Sequence, residues 1–475
     1  MQRRTFLTGT ALGAALAAVP FGVPRQARAS ATATVSSLKD LQKAIDGAAP
    51  GARIVLADGT YTVPPGTSIN VTGKHGTPDA PLTIASASRG GAVLRGERGF
   101  VFSGSSDITV TGFSFRQSTT LEIPADCSRI RLTRNDLQLA DIEGLHWVMV
   151  RADDTKVDRN HFHGKTTLGV YLGVEGPGGT AMAQRVHILR NHFSDHSFSG
   201  ANGGEPIRLG VSPRALSGAR AVVEHNLFER CDGDPEAISV KSSDNTIRYN
   251  TIRDSAGGIV LRHGNRTRVE GNYILDGKEG LRLYGNDHVV VNNYVAGLAG
   301  RALVIGSGST RDHHAGETAE ERRGNDACDR AVIAHNTLLR NAVTLSGEDR
   351  THEPQRVVVA DNLLVGDSGD LVAMRATTGF TWQSNILWGA ASAGNIPATG
   401  YSRADPRLRQ GSDGVFRLTA GSPAIGRATL RSPAVTHDID GHPRGGLRDI
   451  GADEYATAAP PRRPLTAADV GPNAS

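Results

Sequence analysis

Short apolar stretches recur along most of this chain, and each follows an asparagine at a nearly fixed offset. The motif is Asn, any residue and then one or two apolar residues, as in Asn191-His192-Phe193. From Asn226 to Asn293 the consecutive intervals are 24, 22 and 21 residues. The full set is Asn135, Asn160, Asn191, Asn226, Asn250, Asn272, Asn293, Asn336, Asn362 and Asn385. Such periods indicate a solenoid, and an Asn at a repeated corner can bond along a ladder. The pattern predicts an all-β chain folded as a single-domain right-handed parallel β-helix.

The two ends of the repeat region carry different patterns. Residues 37–49 have the apolar spacing of a short amphipathic helix, with Ser37 as its N-cap, and we expect this helix to cover the first open edge of the solenoid. The motifs at residues 437–441 and 449–455 are interpreted as the closing turns. Residues 456–475 are rich in Ala, Pro and Arg and are predicted to be disordered. The predicted catalytic domain is therefore 30–455.

The chain begins with the pattern of an export leader. Arg3-Arg4-Thr5-Phe6-Leu7 is a twin-arginine motif, an apolar stretch follows, and Ala27-Arg28-Ala29 resembles a cleavage site. The stretch is too short and too often interrupted by Gly and Pro to predict a membrane span. We therefore predict that residues 1–29 are a signal peptide and that the protein is secreted or periplasmic.

Removing the leader changes the interpretation of charge. The chain has 52 Lys and Arg against 48 Asp and Glu, and four of the arginines lie in residues 1–29. The remaining chain is therefore neutral overall, so any binding of anions must depend on a local cluster. The three cysteines are far apart, and no motif for a nucleotide or a nucleic acid is present. We expect a monomer without a nucleic-acid partner.

Cations recur in one strand of the repeat. Lys241, Arg262 and Arg282 follow each other at steps of 21 and 20 residues, each flanked by apolar residues. Adding Tyr171 and Arg208 gives five residues that alternation would place on one outward row, with rungs about 4.8 Å apart. Like charges repel, so such a row suits an anionic polymer lying across it, although scattered surface cations bridged to acids are the alternative.

An acidic corner precedes Lys241. Asp232, Asp234 and Glu236 lie within five residues, and Asn202 falls one rung earlier. Oxygen donors of this kind can hold Ca²⁺, whereas the alternative is a solvated turn that neutralises the neighbouring arginines.

These motifs together resemble polysaccharide lyase family 6, which contains alginate lyases and chondroitinase B. The resemblance covers roughly residues 35–455 and rests on Asn202-Gly-Gly-Glu-Pro-Ile-Arg-Leu-Gly, Glu236-Ala-Ile-Ser-Val-Lys-Ser-Ser, Leu261-Arg-His-Gly-Asn-Arg and Gly280-Leu-Arg-Leu-Tyr-Gly. It implies a parallel β-helix with Lys241 as Brønsted base and Arg262 as acid. It implies Ca²⁺ held by Asn202, Asp234 and Glu236, and substrate contacts from Tyr171, Arg208, His263 and Arg282. Family members commonly carry Glu where this chain has Asp234, and some relatives lack the metal.

The residue types agree with β-elimination on a uronate. This reaction removes the C5 proton and expels the 4-O-linked sugar, so the adjacent carboxylate must be neutralised by arginines or Ca²⁺. Lys241 must be neutral to accept the proton, which nearby positive charges favour. A guanidinium is a poor acid, so Arg262 either donates the proton or stabilises the departing oxygen while water donates it.

Other functions remain open at this point. A β-helix glycoside hydrolase would use two of the carboxylates, and a non-catalytic polysaccharide-binding solenoid would need only the cations. Among lyase substrates we favour alginate over dermatan sulfate, because nothing marks a dedicated sulfate pocket. His161 and His163, and the pair His313-His314, lack evident zinc partners and are interpreted as surface or corner histidines.

Overall fold

Three parallel sheets wind around a common core in this chain. The computed structural model describes residues 32–198, 200, 202–430 and 435–475, so the predicted leader lies outside the described residues. Between Ser106 and Gly394, each rung contributes one strand to sheet 1, then one to sheet 2 and then one to sheet 3. Strand pairing within the three sheets is parallel, as the right-handed parallel β-helix predicts.

The strands of sheet 1 are Thr32–Val35, Arg53–Leu56, Leu82–Ser86, Ser106–Thr111, Ser128–Thr133, Lys156–Asp158, His187–Leu189, Val222–Glu224, Thr246–Arg248, Arg268–Glu270, Val289–Val291, Val332–Ala334, Val358–Ala360 and Thr381–Gln383. The strands of sheet 2 are Gly59–Val63, Ala92–Gly96, Ser114–Gln117, Asp136–Leu137, His161–Lys165, His192–His196, Leu227–Cys231, Thr251–Arg253, Tyr273–Leu275, Tyr294–Ala296, Thr337–Leu339, Leu363–Val365, Asn385–Trp388 and Tyr401–Arg403. The strands of sheet 3 are Leu121–Ile123, Val148–Val150, Leu172–Val174, Ile207–Gly210, Glu236–Lys241, Gly258–His263, Leu281–Leu283, Arg301–Ile305, Val343–Ser346, Asp370–Ala373 and Ser392–Gly394. Smaller elements are the parallel pair Ile69–Thr72 and Phe100–Ser103, the antiparallel pair Leu408–Gln410 and Phe416–Leu418, and the 3₁₀ turns Ser212–Arg214, Glu321–Arg323 and Ala398–Gly400.

The predicted asparagines form one continuous ladder at the corner between sheets 1 and 2. All ten are buried. The side-chain amide of each donates to the Oδ1 atom of the next at 2.9–3.0 Å, and the same oxygen accepts the backbone N–H of the preceding ladder residue. The residue before each Asn has a positive φ, for example 54° at Arg159 and 57° at Tyr249. The corner thus turns sharply while its backbone polar groups stay satisfied.

The interior is filled by apolar side chains stacked from rung to rung, and many strands of sheet 3 contribute two of them, such as Leu281 and Leu283. Phe162, Phe193 and Phe228 form a column in sheet 2 with ring centroids 4.9 Å apart. This spacing equals the distance between parallel strands, so the stack follows directly from the register. The three cysteines are buried free thiols.

The N-terminal helix is confirmed at Leu38–Asp46. The Ser37 side chain accepts the Asp40 backbone N–H at 3.1 Å, which is an N-cap bond. Leu41 and Ile45 are buried in the main core, so the helix covers the first rung. Within the part of the chain that the structure describes, no helix is long and apolar enough to cross a membrane.

The C-terminal region differs from the prediction. The rungs end at Arg403, and the two motifs interpreted as closing turns lie outside the solenoid. Ile439, Ile450 and Ala452 instead pack on the outward side chains of sheet 2, such as Tyr273 and Leu363. This layer forms because the later strands of sheet 2 are apolar on both faces.

The tail 456–475 is also ordered against the solenoid rather than disordered. The Arg134 guanidinium donates to the carbonyl oxygens of Pro472 and Ala474 at 2.9 and 2.6 Å. Gly471 N–H donates to the Arg190 carbonyl at 2.9 Å. Side chains and carbonyl groups of the asparagine corner thus form hydrogen bonds with the tail backbone. Amino-acid composition, on which the prediction of disorder was based, does not reveal such contacts.

Candidate active site

Sheet 3 carries the predicted cations, but they do not form a single row. Arg208 pairs with Gly173 on one side and Ser239 on the other, and Val260 then pairs with Arg282. Arg208 and Arg282 therefore share one row with two uncharged residues between them. Lys241 lies two positions farther along its strand, opposite Gly210. The expectation of five aligned residues is wrong, because equal sequence spacing does not mean equal position along the strands.

A register shift explains the position of Arg262. Val240 pairs with Leu261, whereas Lys241 pairs with His263, so Arg262 is an additional residue in its strand. Bulges of this kind redirect side chains and are common beside active sites. Here the bulge brings Arg262 next to Lys241 in adjoining strands without placing the two side chains directly opposite each other.

Tyr171 is wrongly predicted as a substrate contact. Its strand begins only at Leu172, so Tyr171 lies in the corner before sheet 3, where strand alternation does not apply. The ring is fully buried, with its centroid 4.8 Å from those of Trp147 and His196. Its hydroxyl donates to the Ser194 carbonyl at 2.8 Å. Tyr171 is therefore a core residue.

Lys241 is held by a buried acid. Its Nζ donates to Glu205 Oε1 at 3.1 Å, and only 14% of the lysine side chain is exposed. Glu205 itself is fully buried. Among the described residues, none donates to its other oxygen, Oε2. The amine is thus fixed at the surface of sheet 3, with one carboxylate oxygen below it still free to bind a cation.

Two arginines converge on Glu236. Arg282 Nη2 donates to Glu236 Oε1 at 2.9 Å, and Arg262 Nε lies 4.0 Å from the same oxygen. The Glu236 side chain is 9% exposed, and Ser239 Oγ donates to its second oxygen. The Arg262 and Arg282 side chains are 34% and 20% exposed, so both are partly accessible at the surface of sheet 3.

A buried tyrosine supports these arginines. The guanidinium carbons of Arg262 and Arg282 lie 5.8 and 6.0 Å from the centroid of the Tyr284 ring, and that of Arg350 lies 5.1 Å from it. The Tyr284 hydroxyl donates to Glu348 Oε2 at 2.7 Å. Such cation–π contacts limit where the guanidinium groups can lie.

The insertion at residues 307–329 reaches the same region. Arg262 Nη1 donates to the side-chain oxygen of Asn325, and the His313 ring centroid lies 6.4 Å from that of His263. His263 is only 4% exposed, and its Nδ1 has no hydrogen-bond partner among the described residues. Burial, together with the charges of Arg262 and Lys241, lowers the pKa of His263 to about 3, so the ring is neutral at pH 7.

The remaining predicted substrate contact is Arg208. Its side chain is 14% exposed, and its Nη2 lies 3.6 Å from Glu175 Oε1 and 3.5 Å from His146 Nε2. It therefore lies on the same sheet as Lys241 and Arg282 and is oriented by an acid on the preceding rung.

The predicted calcium ligands are only partly brought together. Asp234 and Glu236 are buried, and the Glu236 backbone N–H donates to Asp234 Oδ1 at 3.0 Å. Burial and repulsion from Glu205 and Glu236 raise the pKa of Asp234 to about 7. Asn202 is exposed, and among the described residues no hydrogen bond connects it to these acids.

The donor set nevertheless fits a hard divalent cation. Glu205, Asp234 and Glu236 place three buried carboxylates on two neighbouring rungs, one with an unbonded oxygen. Their mutual repulsion, expressed in the raised pKa of Asp234, is what a bound cation would relieve. Among the described residues, two groups of three side chains have ligand atoms within 4.8 Å of one another, and these acids are not one of them. Binding therefore requires the three carboxylates to move closer together.

Glu205, Tyr284 and Asn325 are site residues that the sequence reasoning missed. A signal for Glu205 exists, because Ile207 pairs with Ile238 and the acid two residues before each is Glu205 or Glu236. Aligning the rungs on their strands would therefore have identified it. Asn325 carries no comparable signal, since its contact with Arg262 depends on how the insertion folds back. The role of Tyr284 emerges only from its contacts with arginines of neighbouring rungs.

Comparison with known proteins identifies the family of this chain. A sequence model described as Chondroitinase B matches residues 35–393. No curated protein matches the chain. The PL6 family alginate lyase AlyGC is 25% identical with a TM-score of 0.73, and the match covers 90% of this chain but only 60% of that one. This chain therefore spans about 60% of the length of that relative.

Two further solved structures extend the comparison. A mannuronic acid specific family 6 lyase from human gut microbiota is 26% identical with a TM-score of 0.70, over 79% of this chain and 91% of that one. The PL6 family polysaccharide lyase Pedsa3628 from Pseudopedobacter saltans is 21% identical with a TM-score of 0.64, over 93% and 99%, and supports the fold alone. Because the family model matches well over half of the residues, this chain belongs to the chondroitinase B family, in agreement with the predicted resemblance to polysaccharide lyase family 6.

Proposed function

We propose that this protein is an exported polysaccharide lyase that cleaves alginate by β-elimination. The observation that carries the proposal is the amine of Lys241, held 3.1 Å from the buried Glu205 beside a cluster of arginines on one sheet. A fixed base next to groups that neutralise a carboxylate is the combination that proton removal from a uronate needs. Membership of the chondroitinase B family supports the same chemistry.

Lys241 acts as the base in this proposal. Its neutral amine takes the C5 proton, and the electrons of the C5–H bond form a C4–C5 double bond. The C4–O bond breaks with its electron pair on the departing oxygen, which receives a proton from Arg262 or from water. Its contact with Glu205 orients the amine towards the open side of sheet 3, where 14% of the side chain is exposed. The proton remains on Lys241 until solvent removes it.

The arginines stabilise the charges that develop. Arg208 and Arg282 share one row of the sheet but lie three strands apart, and we assign them to the carboxylates of different sugar units. Arg262 is assigned to the departing oxygen, because the bulge and its contact with Asn325 separate it from that row. The buried neutral His263 is assigned a positioning role between Lys241 and Arg262.

Calcium is part of the proposal, held by Glu205, Asp234 and Glu236, with Asn202 as a further oxygen donor. When bound, the ion would help to neutralise the uronate carboxylate. The three side chains would hold this charge, and two of them, Glu205 and Glu236, contact Lys241 and Arg282.

The decisive experiment follows the ultraviolet absorbance of the protein with alginate. A lyase produces an unsaturated, absorbing product, a hydrolase produces only new reducing ends, and a binding module produces neither. We expect absorbance from the wild type and its loss, by at least about 100-fold, in Lys241→Ala. Lys156→Ala is the matched control, since this half-buried lysine lies on sheet 1.

The outcomes separate the candidate functions. Reducing ends without absorbance would indicate the glycoside hydrolase, and binding without any product would indicate a non-catalytic solenoid. An active Lys241→Ala protein would rule out the assigned base. Dermatan sulfate, polymannuronate and polyguluronate assayed in parallel define the substrate, and a preference for dermatan sulfate would overturn the alginate assignment.

Export is proposed from the leader. If residues 1–29 direct twin-arginine transport, replacing Arg3 and Arg4 with lysine should leave the protein in the cytoplasmic fraction. Unchanged export of that variant would contradict the proposal. A monomer remains a prediction that sedimentation can test.

A further inference from the structure

Outside the candidate active site, three metal-ligating side chains meet on the outward face of sheet 2. Asp136, His161 and His163 offer one ligand atom each, and these atoms lie within 4.8 Å of one another. The side chains are 24%, 28% and 23% exposed, so the cluster opens to solvent. The described residues contain one other such group, Asp438, Asp440 and His442.

Strand register creates the cluster. Asp136 pairs with His161 in the next rung, and His163 lies two residues farther on the same face of that strand. Neighbouring strands are about 4.8 Å apart and alternate residues about 6.6 Å apart, so three side chains so placed can converge on one point. The two histidines have no zinc partner nearby in sequence because their acidic partner is 25 residues away.

The distances fit a shared ion. His163 Nε2 lies 2.8 Å from Asp136 Oδ1, and His161 Nδ1 lies 3.9 Å from the same oxygen. Ligands around a tetrahedral Zn²⁺ are about 3.3 Å apart, from metal–ligand bonds of about 2.0 Å, so small ring rotations suffice. The His161 and His163 rings are stacked with centroids 4.3 Å apart.

The surrounding contacts orient two of the three ligands, His161 and Asp136. His161 Nε2 is hydrogen-bonded to Ser194 Oγ at 3.0 Å, which leaves Nδ1 facing Asp136. Arg116 donates to the second oxygen of Asp136, so Oδ1 remains for the ion. On its other side the His161 ring stacks on His192 at 4.5 Å, and His192 in turn bonds Glu229. Fixed second partners of this kind are typical of metal-binding histidines.

The second group of ligands is already neutralised. Asp440 binds the Tyr273 hydroxyl and the Arg417 guanidinium, while Asp438 accepts the backbone N–H groups of His442 and Glu454. The Arg417 guanidinium donates to both oxygens of Asp440, so this carboxylate is already paired with a cation and we build no site on this group.

We propose that Asp136, His161 and His163 form a binding site for a borderline divalent transition metal such as Zn²⁺, Ni²⁺ or Cu²⁺, independent of the calcium corner. Two imidazole nitrogens and one carboxylate oxygen suit these ions rather than Ca²⁺. The metal replaces the proton shared by His163 and Asp136, and solvent completes its coordination. The site cross-links two rungs of sheet 2.

Spectroscopy of Co²⁺, a probe for such sites, tests the proposal on the full-length protein without a histidine tag. We expect a visible d–d spectrum of a nitrogen- and oxygen-bound ion that saturates at one Co²⁺ per chain and is displaced by Zn²⁺. His163→Ala should weaken Zn²⁺ binding in calorimetry by at least about tenfold. His187→Ala is the matched control, because this half-exposed histidine pairs with Glu224 on sheet 1.

Several outcomes would overturn the site. One is the absence of a d–d spectrum when Co²⁺ is added to saturation. The others are equal Zn²⁺ affinity in wild type and His163→Ala, or a loss of Zn²⁺ affinity in the His187→Ala control equal to that in His163→Ala. A Zn²⁺ anomalous difference map of wild-type crystals tests the location without any substitution: a peak between Asp136 and the two histidines supports it, and an empty cluster contradicts it. Asp234→Asn should leave Zn²⁺ binding unchanged, which distinguishes this site from the proposed calcium site.

Discussion

At the scale of single residues, His288 shows how the fold fixes a charge state. The ring is buried, its Nδ1 accepts the Thr267 backbone N–H at 3.1 Å, and its Nε2 donates to the Tyr284 carbonyl at 2.8 Å. Protonating Nδ1 would break the first bond. Burial therefore lowers the pKa of His288 from 6.5 to about 4.

This pKa predicts a loss of stability in acid. Above pH 6.5 the ring is neutral in both states and contributes no pH dependence. As the pH falls below 6.5, the unfolded chain binds a proton that the folded chain does not, so the free energy of unfolding decreases, by about 2 kcal/mol at pH 5. Denaturant titrations at pH 7.5 and pH 5 measure the difference.

The variant His288→Gln isolates this contribution. It should be less stable at both pH values, but its loss between them should be smaller than that of the wild type by about 2 kcal/mol. The exposed His314 provides the control, since His314→Gln should keep the wild-type pH dependence. If the free energy of unfolding of His288→Gln decreased between pH 7.5 and pH 5 as much as that of the wild type, other groups would cause the acid sensitivity.

Asp234 provides a second prediction at the residue scale. Because burial and two neighbouring acids raise its pKa to about 7, removing a bound cation should destabilise the fold. Ca²⁺ at about 100 times its Kd should raise the unfolding free energy by about 2.7 kcal/mol, and a chelator should reverse the gain. Thermal unfolding with and without Ca²⁺ measures this change.

Substitution tests whether the acids are responsible. Asp234→Asn should lose the response to Ca²⁺, whereas the exposed Asp79→Asn should keep it. Equal unfolding temperatures of the wild type in Ca²⁺ and in chelator would show that this corner binds no calcium. The lyase assay would then decide whether Lys241 works without the ion.

At the scale of the repeated element, the asparagine ladder should be the most sensitive feature. Asn272 accepts bonds from the backbone and side-chain N–H groups of Asn250, and its amide donates to Ile247 and Asn293. Asn272→Ala leaves several buried groups unsatisfied, at about 1–3 kcal/mol each, so we expect a loss of at least about 3 kcal/mol. Chemical denaturation measures the loss.

Membership of the ladder is the important variable, and Asn70, in the strand Ile69–Thr72, lies outside it. Asn70 is exposed, so Asn70→Ala should change the unfolding free energy by less than about 0.5 kcal/mol. If the two alanine variants were equally stable, the ladder would be a consequence of the fold rather than a source of its stability.

At the scale of the whole molecule, the hydrogen bonds of the tail 456–475 can be used to test how the C-terminal region is attached to the solenoid. Arg134 donates to two tail carbonyls, and the Gly471 amide bonds Arg190. Arg134→Ala should increase the hydrogen-exchange rate of the Gly471 amide roughly tenfold, because two such bonds contribute about 1–2 kcal/mol. The exposed Arg89→Ala is the control, and equal exchange in both variants would contradict this anchoring role.

Local motifs were sufficient to predict the fold. The asparagine spacing predicts the ladder, and Ser37 with its apolar spacing predicts the helix, because both depend on contacts repeated at short or constant sequence separation. Lys241, Arg262 and Arg282 were identified because each lies in a similar apolar strand. All three are on sheet 3, as expected.

The exact geometry depends on contacts that spacing does not encode. One additional residue at Arg262 changes the register between two strands of sheet 3. Tyr171 is buried because its strand begins only at Leu172, which leaves the tyrosine in the preceding corner. Loops of unequal length between rungs also hide which distant residues become neighbours.

The sequence alone therefore determined the solenoid, its capping helix and the cationic strands, since these follow from a repeated local pattern. Only the tertiary structure decided which side chains meet: Glu205 with Lys241, Asp136 with two histidines, and the tail with the asparagine corner. For the first two contacts the physical reason is strand register, which brings residues 20 to 40 positions apart to within about 5 Å without any local signal in the chain. The tail contact instead joins residues 340 positions apart, because the chain folds back along the outside of the solenoid.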